Sequence, residues 1–260
     1  MKNYIMKNIK KYLIIVAVLI GLVALSAYVY HWEYRKPVLD VYFFSLNKGR
    51  AVFIRTPQNK TILVGGGQNS EIIRELTKVM PFYKRRIDYL FLPSAVPAQI
   101  GGLIEVVDRY EIENVIMPKV MVTSTVLGML MKSIREKKIH IEEVEKGDVI
   151  EVEDGLMFDV LFPRKGFKFN KTSMPELGLS LSYGSIGVFL IGNLSKTIQK
   201  DIANQLEVKT DQNLVEFYNN GEDSKVSADL IEKIKPKFTF TTKEKTVHFV
   251  SEGEEWVKRK

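Results

Sequence analysis

The sequence predicts an α/β protein whose packed body of alternating strands and helices follows one N-terminal membrane-spanning helix. Three observations predict this arrangement. Apolar residues make up 45% of the 260 residues, as in a folded globular chain. Residues 12–30 carry no charged side chain. Residues 87–103 have the pattern of a buried strand that feeds a helix through a short loop, an arrangement typical of α/β functional sites.

The uncharged run at residues 12–30 has the length of a membrane-spanning helix. Its 19 residues extend about 28 Å as an α-helix, close to the thickness of the bilayer core. Four lysines precede the run (Lys2, Lys7, Lys10 and Lys11) and two basic residues follow it (Arg35 and Lys36). The positive-inside rule then predicts a single-pass protein of the cell membrane with a cytoplasmic N-terminus. The alternative is a cleavable signal peptide with a small-residue site at residues 24–26.

These features divide the chain at residue 36. Residues 1–36 form a basic tail, an anchor and a linker, and residues 37–260 form an extracytoplasmic domain. The first part holds six Lys/Arg and one acid, which leaves 32 basic and 30 acidic residues for the domain. Most of the net charge of +7 therefore belongs to the membrane end rather than to a nucleic-acid surface. The chain has no cysteine, which excludes disulfides and thiolate chemistry.

The domain begins with three strands joined by tight turns. Residues 38–44 alternate in strand fashion, and turns follow at residues 47–49 and 57–59. Glycines 65–67 predict a tight turn with positive φ, because neither GxGxxG nor Gly-Lys-Ser/Thr is present to indicate a phosphate loop. The next strand leads through Pro93 and Pro97 into a helix.

A second series of elements follows. The pattern predicts strands at 114–117 and 139–144 around a helix at 124–138, hairpins around 153–155 and 184–185, helices from Ser195 and Ser227, and strands at 214–218, 238–241 and 246–250. The acidic residues between 142 and 154 lack cation-binding spacing, so we expect a mostly solvated strand face. His140 and His248 fall in strands and are expected to be exposed or hydrogen-bonded there.

The segment Ile100-Gly101-Gly102-Leu103 resembles a motif of the metallo-β-lactamase superfamily. The resemblance is greatest to the hydrolase-like C-terminal domain of ComEC-type DNA-uptake proteins, in which Thr-His-x-His-x-Asp-His precedes Ile-Gly-Gly-Leu. It covers about residues 38–256 and implies an αββα sandwich, one domain built of two similar halves, with an N-terminal transmembrane helix added.

The positions at which this family holds its metal ions carry other residues here. They are Ser94, Val96, Ala98, Gln99, Asn193, Asn219 and Asn220. A catalytic zinc site needs about three histidine, thiolate or carboxylate ligands, whereas these side chains are aliphatic, hydroxyl or neutral amide. The resemblance therefore implies degenerate ligand positions, with no metal, no cofactor and no catalytic residue.

The opening strands show the same exchange of polar chemistry. The family pattern Phe-Leu-Asp-Val-Gly-Gln-Gly-Asp-Ala precedes Ile-Leu-Ile-Asp-Gly-Gly. In this sequence Ser45 stands for the first acid, Lys48 for the glutamine, Arg50 for the next acid and Gly65 for the acid before the glycines.

Two functional hypotheses follow from the resemblance. The first is a non-catalytic relative, a pseudoenzyme linked to competence, whose former cleft binds a protein partner or is sealed. The second is a divergent metal-dependent hydrolase or nuclease with a metal ion held by Gln99, Asn193 and Asn219.

A third hypothesis is nucleic-acid binding without cleavage, at a short basic and aromatic loop. Its candidate contacts are Arg164, Lys165, Phe167, Lys168 and Lys171. Stacking and phosphate contacts can coexist on such a loop. The competing interpretation is a solvated loop anchored by a phenylalanine.

Overall fold

The computed structural model describes residues 2–33, 38–119, 124–167, 176–217, 226–241 and 246–259, with the side chains of residues 2–10, 30–33, 240 and 241 left out. The chain divides into two compact units, Met1–Pro37 and Val38–Lys260. The first unit contains helix α1, Lys2–Glu33. Within it, Lys11–Val29 is long and apolar enough to cross a membrane, with a mean hydropathy of 2.6.

The second unit contains two β-sheets. The strands of sheet 1 are β1 Leu39–Ser45, β2 Arg50–Arg55, β3 Thr61–Val64, β4 Arg86–Phe91, β5 Glu111–Pro118, β6 His140–Val144, β13 Val247–Ser251 and β14 Val257–Arg259. Their order across the sheet is β14-β13-β1-β2-β3-β4-β5-β6. Neighbours from β3 to β6 are parallel, and the remaining pairs are antiparallel.

Sheet 2 belongs to the second half of the chain. Its strands are β7 Val149–Glu153, β8 Leu156–Phe162, β9 Gly178–Tyr183, β10 Ile186–Gly192, β11 Gln212–Phe217 and β12 Phe238–Thr241, in the order β12-β11-β10-β9-β8-β7. Strands β10, β11 and β12 are parallel, and β7 to β10 form antiparallel pairs.

Helices cover the outer faces of both sheets. They are α2 Glu71–Val79, α3 Pro97–Ile100, α4 Leu103–Arg109, α5 Thr125–Glu136, α6 Lys196–Gln205 and α7 Ala228–Ile234. Ser124, Ser195 and Ser227 cap α5, α6 and α7, because each side chain accepts a hydrogen bond from a backbone N–H of the first turn.

Three clusters of buried apolar side chains lie between the four layers of helices and sheets. The central cluster joins the facing sides of the two sheets, for example Val52 and Phe91 of sheet 1 with Val188 and Leu214 of sheet 2. A second cluster lies between sheet 1 and α2, α4 and α5, and a third between sheet 2 and α6 and α7. The order helix, sheet, sheet, helix confirms the αββα sandwich that the sequence predicted.

Some elements differ in detail from the expectation. Strand β14 was not predicted, and the helix expected after the central strand is divided into α3 and α4. The acidic hairpin was expected to be mostly solvated, but Glu153 is 7% exposed. Its carboxylate accepts hydrogen bonds from the Thr56 hydroxyl and the Gln58 backbone N–H, which offset the cost of burial.

Candidate functional site

The site lies where strand ends from both sheets converge, and its floor is a set of backbone contacts. The Gly65 N–H donates to the Phe91 carbonyl at 3.1 Å, and the Gly66 N–H donates to the Gln99 carbonyl at 2.8 Å. The Leu177 N–H, just before β9, donates to the Pro93 carbonyl at 2.6 Å. These bonds bring the loop after β3, the loop after β4 and the segment before β9 together at one end of the sandwich.

The glycine pair of the resembling motif packs directly on this floor. A Cβ atom on Gly101 would overlap the Gln68 carbonyl, and one on Gly102 would overlap the Gly66 carbonyl. The Gly102 N–H also donates to the Gly67 carbonyl at 3.0 Å. The two glycines therefore let the start of α4 approach the loop after β3 at backbone distance.

The centre of the site is a buried arginine. Arg50, the first residue of β2, has a side chain that is 1% exposed. Its Nη2 donates to Glu176 Oε1 at 2.7 Å, and its Nη1 donates to Glu216 Oε2. The side chains of Glu176 and Glu216 are 7% and 0% exposed. We call these three residues the Arg50 cluster.

Two residues at predicted ligand positions contact the Arg50 cluster through Glu176. The Asn193 backbone N–H donates to Glu176 Oε2 at 2.6 Å, and Gln99 Nε2 donates to Glu176 Oε1 at 3.4 Å. Gly192, which has φ of +59°, leaves room for the cluster, because a Cβ atom there would overlap both Glu176 and Arg50. Asn193 thus contacts the cluster through its backbone N–H, and the residue itself is exposed to solvent.

The other central-loop positions that the resemblance singles out are Ser94, Val96 and Ala98, and none of their side chains contacts the Arg50 cluster in the hydrogen bonds described. Ser94 is 2% exposed, and its hydroxyl accepts a hydrogen bond from the Val96 N–H at 3.2 Å. Val96 and Ala98 are half-buried aliphatic residues. Asn219 and Asn220 lie outside the described residues.

The electrostatics of the Arg50 cluster raise the pKa of one of its carboxyl groups, that of Glu216. With all groups ionised, one guanidinium faces two carboxylates, which leaves a buried excess of one negative charge. Burial, opposed by the charge of Arg50 and reinforced by that of Glu176, raises the pKa of Glu216. Glu216 Oε1 has no hydrogen-bond partner among the described residues, whereas both oxygens of Glu176 are bonded. The pKa of Arg50 is also raised, because Glu216 and Glu176 outweigh the opposing effect of its burial.

The donors of this site do not fit the metal centre that the fold family implies. Among the described residues, no group of three or more His, Cys, Asp or Glu side chains is placed to hold a metal ion. Glu176 and Glu216 are the carboxylates present, and the cation that they contact is the guanidinium of Arg50. A metal ion at that point would meet a fixed positive charge and neutral amides.

The basic loop proposed to bind nucleic acid uses its aromatic ring within the fold. The Phe167 ring packs against Phe162 at a centroid distance of 4.9 Å, and the Arg164 guanidinium lies over the Phe167 ring at 5.6 Å. Lys165 is exposed, and Lys168 and Lys171 lie outside the described residues. The packing of Phe167 matches the anchored-loop interpretation.

A cavity of about 220 Å³ lies elsewhere, between sheet 2 and α6. Two of its lining residues are lysines. Lys209 Nζ donates to the Asp159 carboxylate at 3.0 Å, whereas Lys146 Nζ donates to the neutral amide oxygen of Gln205. No member of the Arg50 cluster is among its lining residues, so the cavity is a separate feature.

Comparison with known proteins agrees with the architecture. The structure is similar to the metallo-β-lactamase fold protein YhfI from Bacillus subtilis, with a TM-score of 0.54, 10% identity and coverage of 80% of this chain and 86% of that chain. It is also similar to a CmlA β-hydroxylase E377D mutant, with a TM-score of 0.51, 15% identity and coverage of 78% and 45%. The chain therefore has the metallo-β-lactamase fold.

The relationship in sequence is more specific. The chain is 24% identical over 216 residues to ComE operon protein 3 of Bacillus subtilis (strain 168), covering 76% of this chain and 27% of that protein. It thus spans about a quarter of the length of the relative that it matches. No family model matches the chain. The resemblance to ComEC-type proteins that the sequence predicted is confirmed at this level.

Two members of the Arg50 cluster were missed by sequence reasoning. Glu176 and Glu216 were not predicted as site residues, although Glu216 is the one charged residue of β11. An acid between the apolar residues Val215 and Phe217 of this strand was the available indication that its carboxylate has a buried partner.

Proposed function

We propose that the protein is a membrane-anchored, non-catalytic component with a metallo-β-lactamase fold, serving binding or assembly in a process related to DNA uptake. The observation that carries this proposal is the Arg50 cluster. In this cluster a buried guanidinium is held by two carboxylates, and one of them, Glu176, contacts Gln99 and the Asn193 backbone, at two of the positions where the resemblance implies metal ligands in the family. The link to DNA uptake rests on the likeness to ComE operon protein 3 and on the resemblance of the motifs.

A fixed guanidinium is a poor replacement for a catalytic metal ion. A metal ion lowers the pKa of a bound water and polarises a substrate oxygen. A guanidinium has no empty orbital with which to coordinate a water, and Nη1 and Nη2 of Arg50 already donate to Glu216 and Glu176. The cluster can hold the two halves of the sandwich together, because Arg50 belongs to sheet 1 whereas Glu216 belongs to sheet 2.

Membrane anchoring is supported by α1. Its apolar side chains between Tyr12 and Val29 are exposed on all sides of the helix, as in a helix that is solvated by lipid. The four lysines before the run favour a cytoplasmic N-terminus and an extracytoplasmic body.

The proposal predicts how divalent cations affect the purified full-length protein. In detergent, we expect a metal content well below one ion per chain and a thermal midpoint that Zn²⁺, Mn²⁺ and EDTA leave unchanged. Arg50→Ala leaves Glu176, Glu216 and Gln99 around the vacated volume, so we expect the variant to gain stability from Mn²⁺ or Zn²⁺. Arg109→Ala, which leaves only the partly exposed Glu105 carboxylate without its partner, is the control and should show no such gain.

The same experiment can overturn the proposal. Stoichiometric metal in the wild-type protein, lost together with stability after Asn193→Ala, would favour the metal-dependent hydrolase instead. Phosphodiester hydrolysis that survives extensive chelation and purification would also contradict a non-catalytic role.

A further inference from the structure

The body has two functionally different ends. Strand β1 is antiparallel to β2 and β2 to β3, so β1, β3 and the parallel strands β4 and β5 all run in one direction. Their carboxyl ends lead to the Arg50 cluster. Their starting ends, which include Leu39 and Arg86, lie at the opposite end of the sheet, together with the β2–β3 turn. We call this the strand-start end.

An exposed aromatic turn projects from the strand-start end. The Lys84 N–H donates to the Pro81 carbonyl at 3.0 Å and closes a tight turn with Phe82 and Tyr83 at its corners. Phe82 is 87% exposed and Tyr83 is 61% exposed, the highest values among the large apolar side chains described outside α1. Turn corners are usually occupied by Gly, Asn, Asp or Ser, so two aromatic rings there are a distinctive feature.

The turn is held in place rather than loosely attached. Lys84 Nζ donates to the Asn59 carbonyl at 2.7 Å, and the Glu111 N–H donates to the Arg85 carbonyl at 2.8 Å. The two rings contact each other edge to face at 5.5 Å. Arg85, exposed beside them, has no ion-pair partner among the described residues.

The chain tethers the strand-start end to α1 through a short segment. Only residues 34–38 lie between α1 and β1, and such a segment reaches at most about 20 Å. Strand β4 is three places from β1 in the sheet, about 15 Å at the usual strand spacing.

We propose that the turn formed by residues 81–84 inserts Phe82 and Tyr83 into the interface of the bilayer that α1 spans. Aromatic side chains are favoured at this depth, and the exposed Arg85 suits the headgroup layer beside them. This inference rests on the proposed membrane anchoring.

The chain has no cysteine, so single cysteines can be labelled in the full-length protein without removing others. We suggest labelling Gln58→Cys, exposed in the β2–β3 turn beside the aromatic turn, and Lys48→Cys, exposed at the opposite end. In phosphatidylcholine–phosphatidylglycerol vesicles that carry a headgroup quencher, we expect quenching at position 58 and little at position 48. Adding Phe82→Ser and Tyr83→Ser should lower the ratio of docked to undocked protein at least about tenfold.

Controls separate the failure of this inference from the failure of anchoring. Met129→Ser removes another exposed apolar side chain, on α5, and should leave quenching unchanged. Release of the wild-type protein from the vesicles by alkaline carbonate would refute the anchoring. Retention with equal quenching at both positions, or quenching that depends on protein density rather than on lipid, would refute the aromatic contact and indicate a second copy or another partner.

Discussion

The two ends of the β1–β2 strand pair carry similar ionic groups in different surroundings. At one end, Arg50 contacts Glu176 and Glu216 with 1% of its side chain exposed. At the other end, Arg55 donates to Asp40 Oδ2 at 2.6 Å with 31% of its side chain exposed. His248 Nε2 also contacts Asp40, through Oδ1 at 2.7 Å, as expected of a hydrogen-bonded strand histidine.

Solvent access changes the direction in which an arginine–carboxylate contact shifts the pKa of the carboxyl group. Burial opposes ionisation of Asp40, but hydrogen bonds from His248 and Arg55 and the charge of Arg55 outweigh it and lower the pKa of Asp40. At Glu216 the burial is deeper and the second carboxylate is close, so the pKa is raised instead. The comparison teaches that an arginine near a carboxylate does not by itself determine the direction of the pKa shift.

The largest expected difference concerns removal of each arginine. Arg50→Met should lower the free energy of unfolding by about 3–5 kcal/mol, because it leaves two buried carboxyl groups without their cation. Arg55→Met should cost about 1 kcal/mol or less, because water can solvate Asp40. Chemical denaturation of both variants checks this. Equal losses would show that burial does not distinguish the two clusters.

Replacing the whole Arg50 cluster should restore much of what the single substitution removes. In Arg50→Met, Glu176→Gln, Glu216→Met no buried charge remains, and buried ion pairs are often replaced by apolar groups without loss of stability. We expect the triple variant to exceed Arg50→Met in stability by at least about 2 kcal/mol. A triple variant as unstable as the single one would mean that packing around Arg50, rather than charge, is what the fold requires.

The carboxyl groups of Glu216 and Asp40 should give opposite dependences of stability on pH. The raised pKa of Glu216 means that the folded state holds more protons than the unfolded state above the unfolded value of 4.5. This contribution to stability is complete below that value and is lost as pH rises through the folded pKa. Glu216→Gln should therefore flatten the fall in stability that begins above pH 4.5.

Asp40 affects the acidic side of the same profile. Because its pKa is lowered from 3.8, its contribution is present above the unfolded value and is lost as pH falls through the folded pKa. Asp40→Asn should flatten the fall in stability below about pH 4. Denaturation midpoints of both variants between pH 3 and 9 test the signs, and interchange of the two effects would contradict the assignment.

The smallest expected effect is that of salt. The pair of Arg55 with Asp40 is partly solvated, so its contribution of about 0.5 kcal/mol should be screened by 1 M NaCl. The cost of Arg50→Met should change little under the same conditions. A double-mutant cycle for each pair in low and high salt measures the difference, and strong screening of the Arg50 cluster would argue for water access to it.

Local patterns in the sequence predicted most of the fold. The serine caps, the hairpins and the glycine turn follow from residues near one another in the chain, and the resemblance supplied the order of layers. The Arg50 cluster was harder to predict, because Arg50 and Glu216 are 166 positions apart and no local period relates them. Glu153 was missed for a similar reason, since its partner Thr56 lies in the distant β2–β3 turn, 97 positions away.

The positions that the resemblance implies as metal ligands indicated only that neutral side chains lie there. The structure adds that Gln99 and the Asn193 backbone both donate hydrogen bonds to Glu176. The identities of these side chains do not reveal that Arg50, from the opening hairpin, donates to the same glutamate. This contact depends on how sheet 1 packs against sheet 2.

The close contact of Gly101 and Gly102 with the carbonyls of Gln68 and Gly66 has a consequence for searches with this motif. Both residues are required by backbone proximity, which every chain with this loop arrangement shares whether or not it performs a reaction. The glycine pair therefore marks an architecture, and assigning an enzyme from it requires separate inspection of the neighbouring side chains. Genome surveys that use the pair alone will collect inactive and active proteins together.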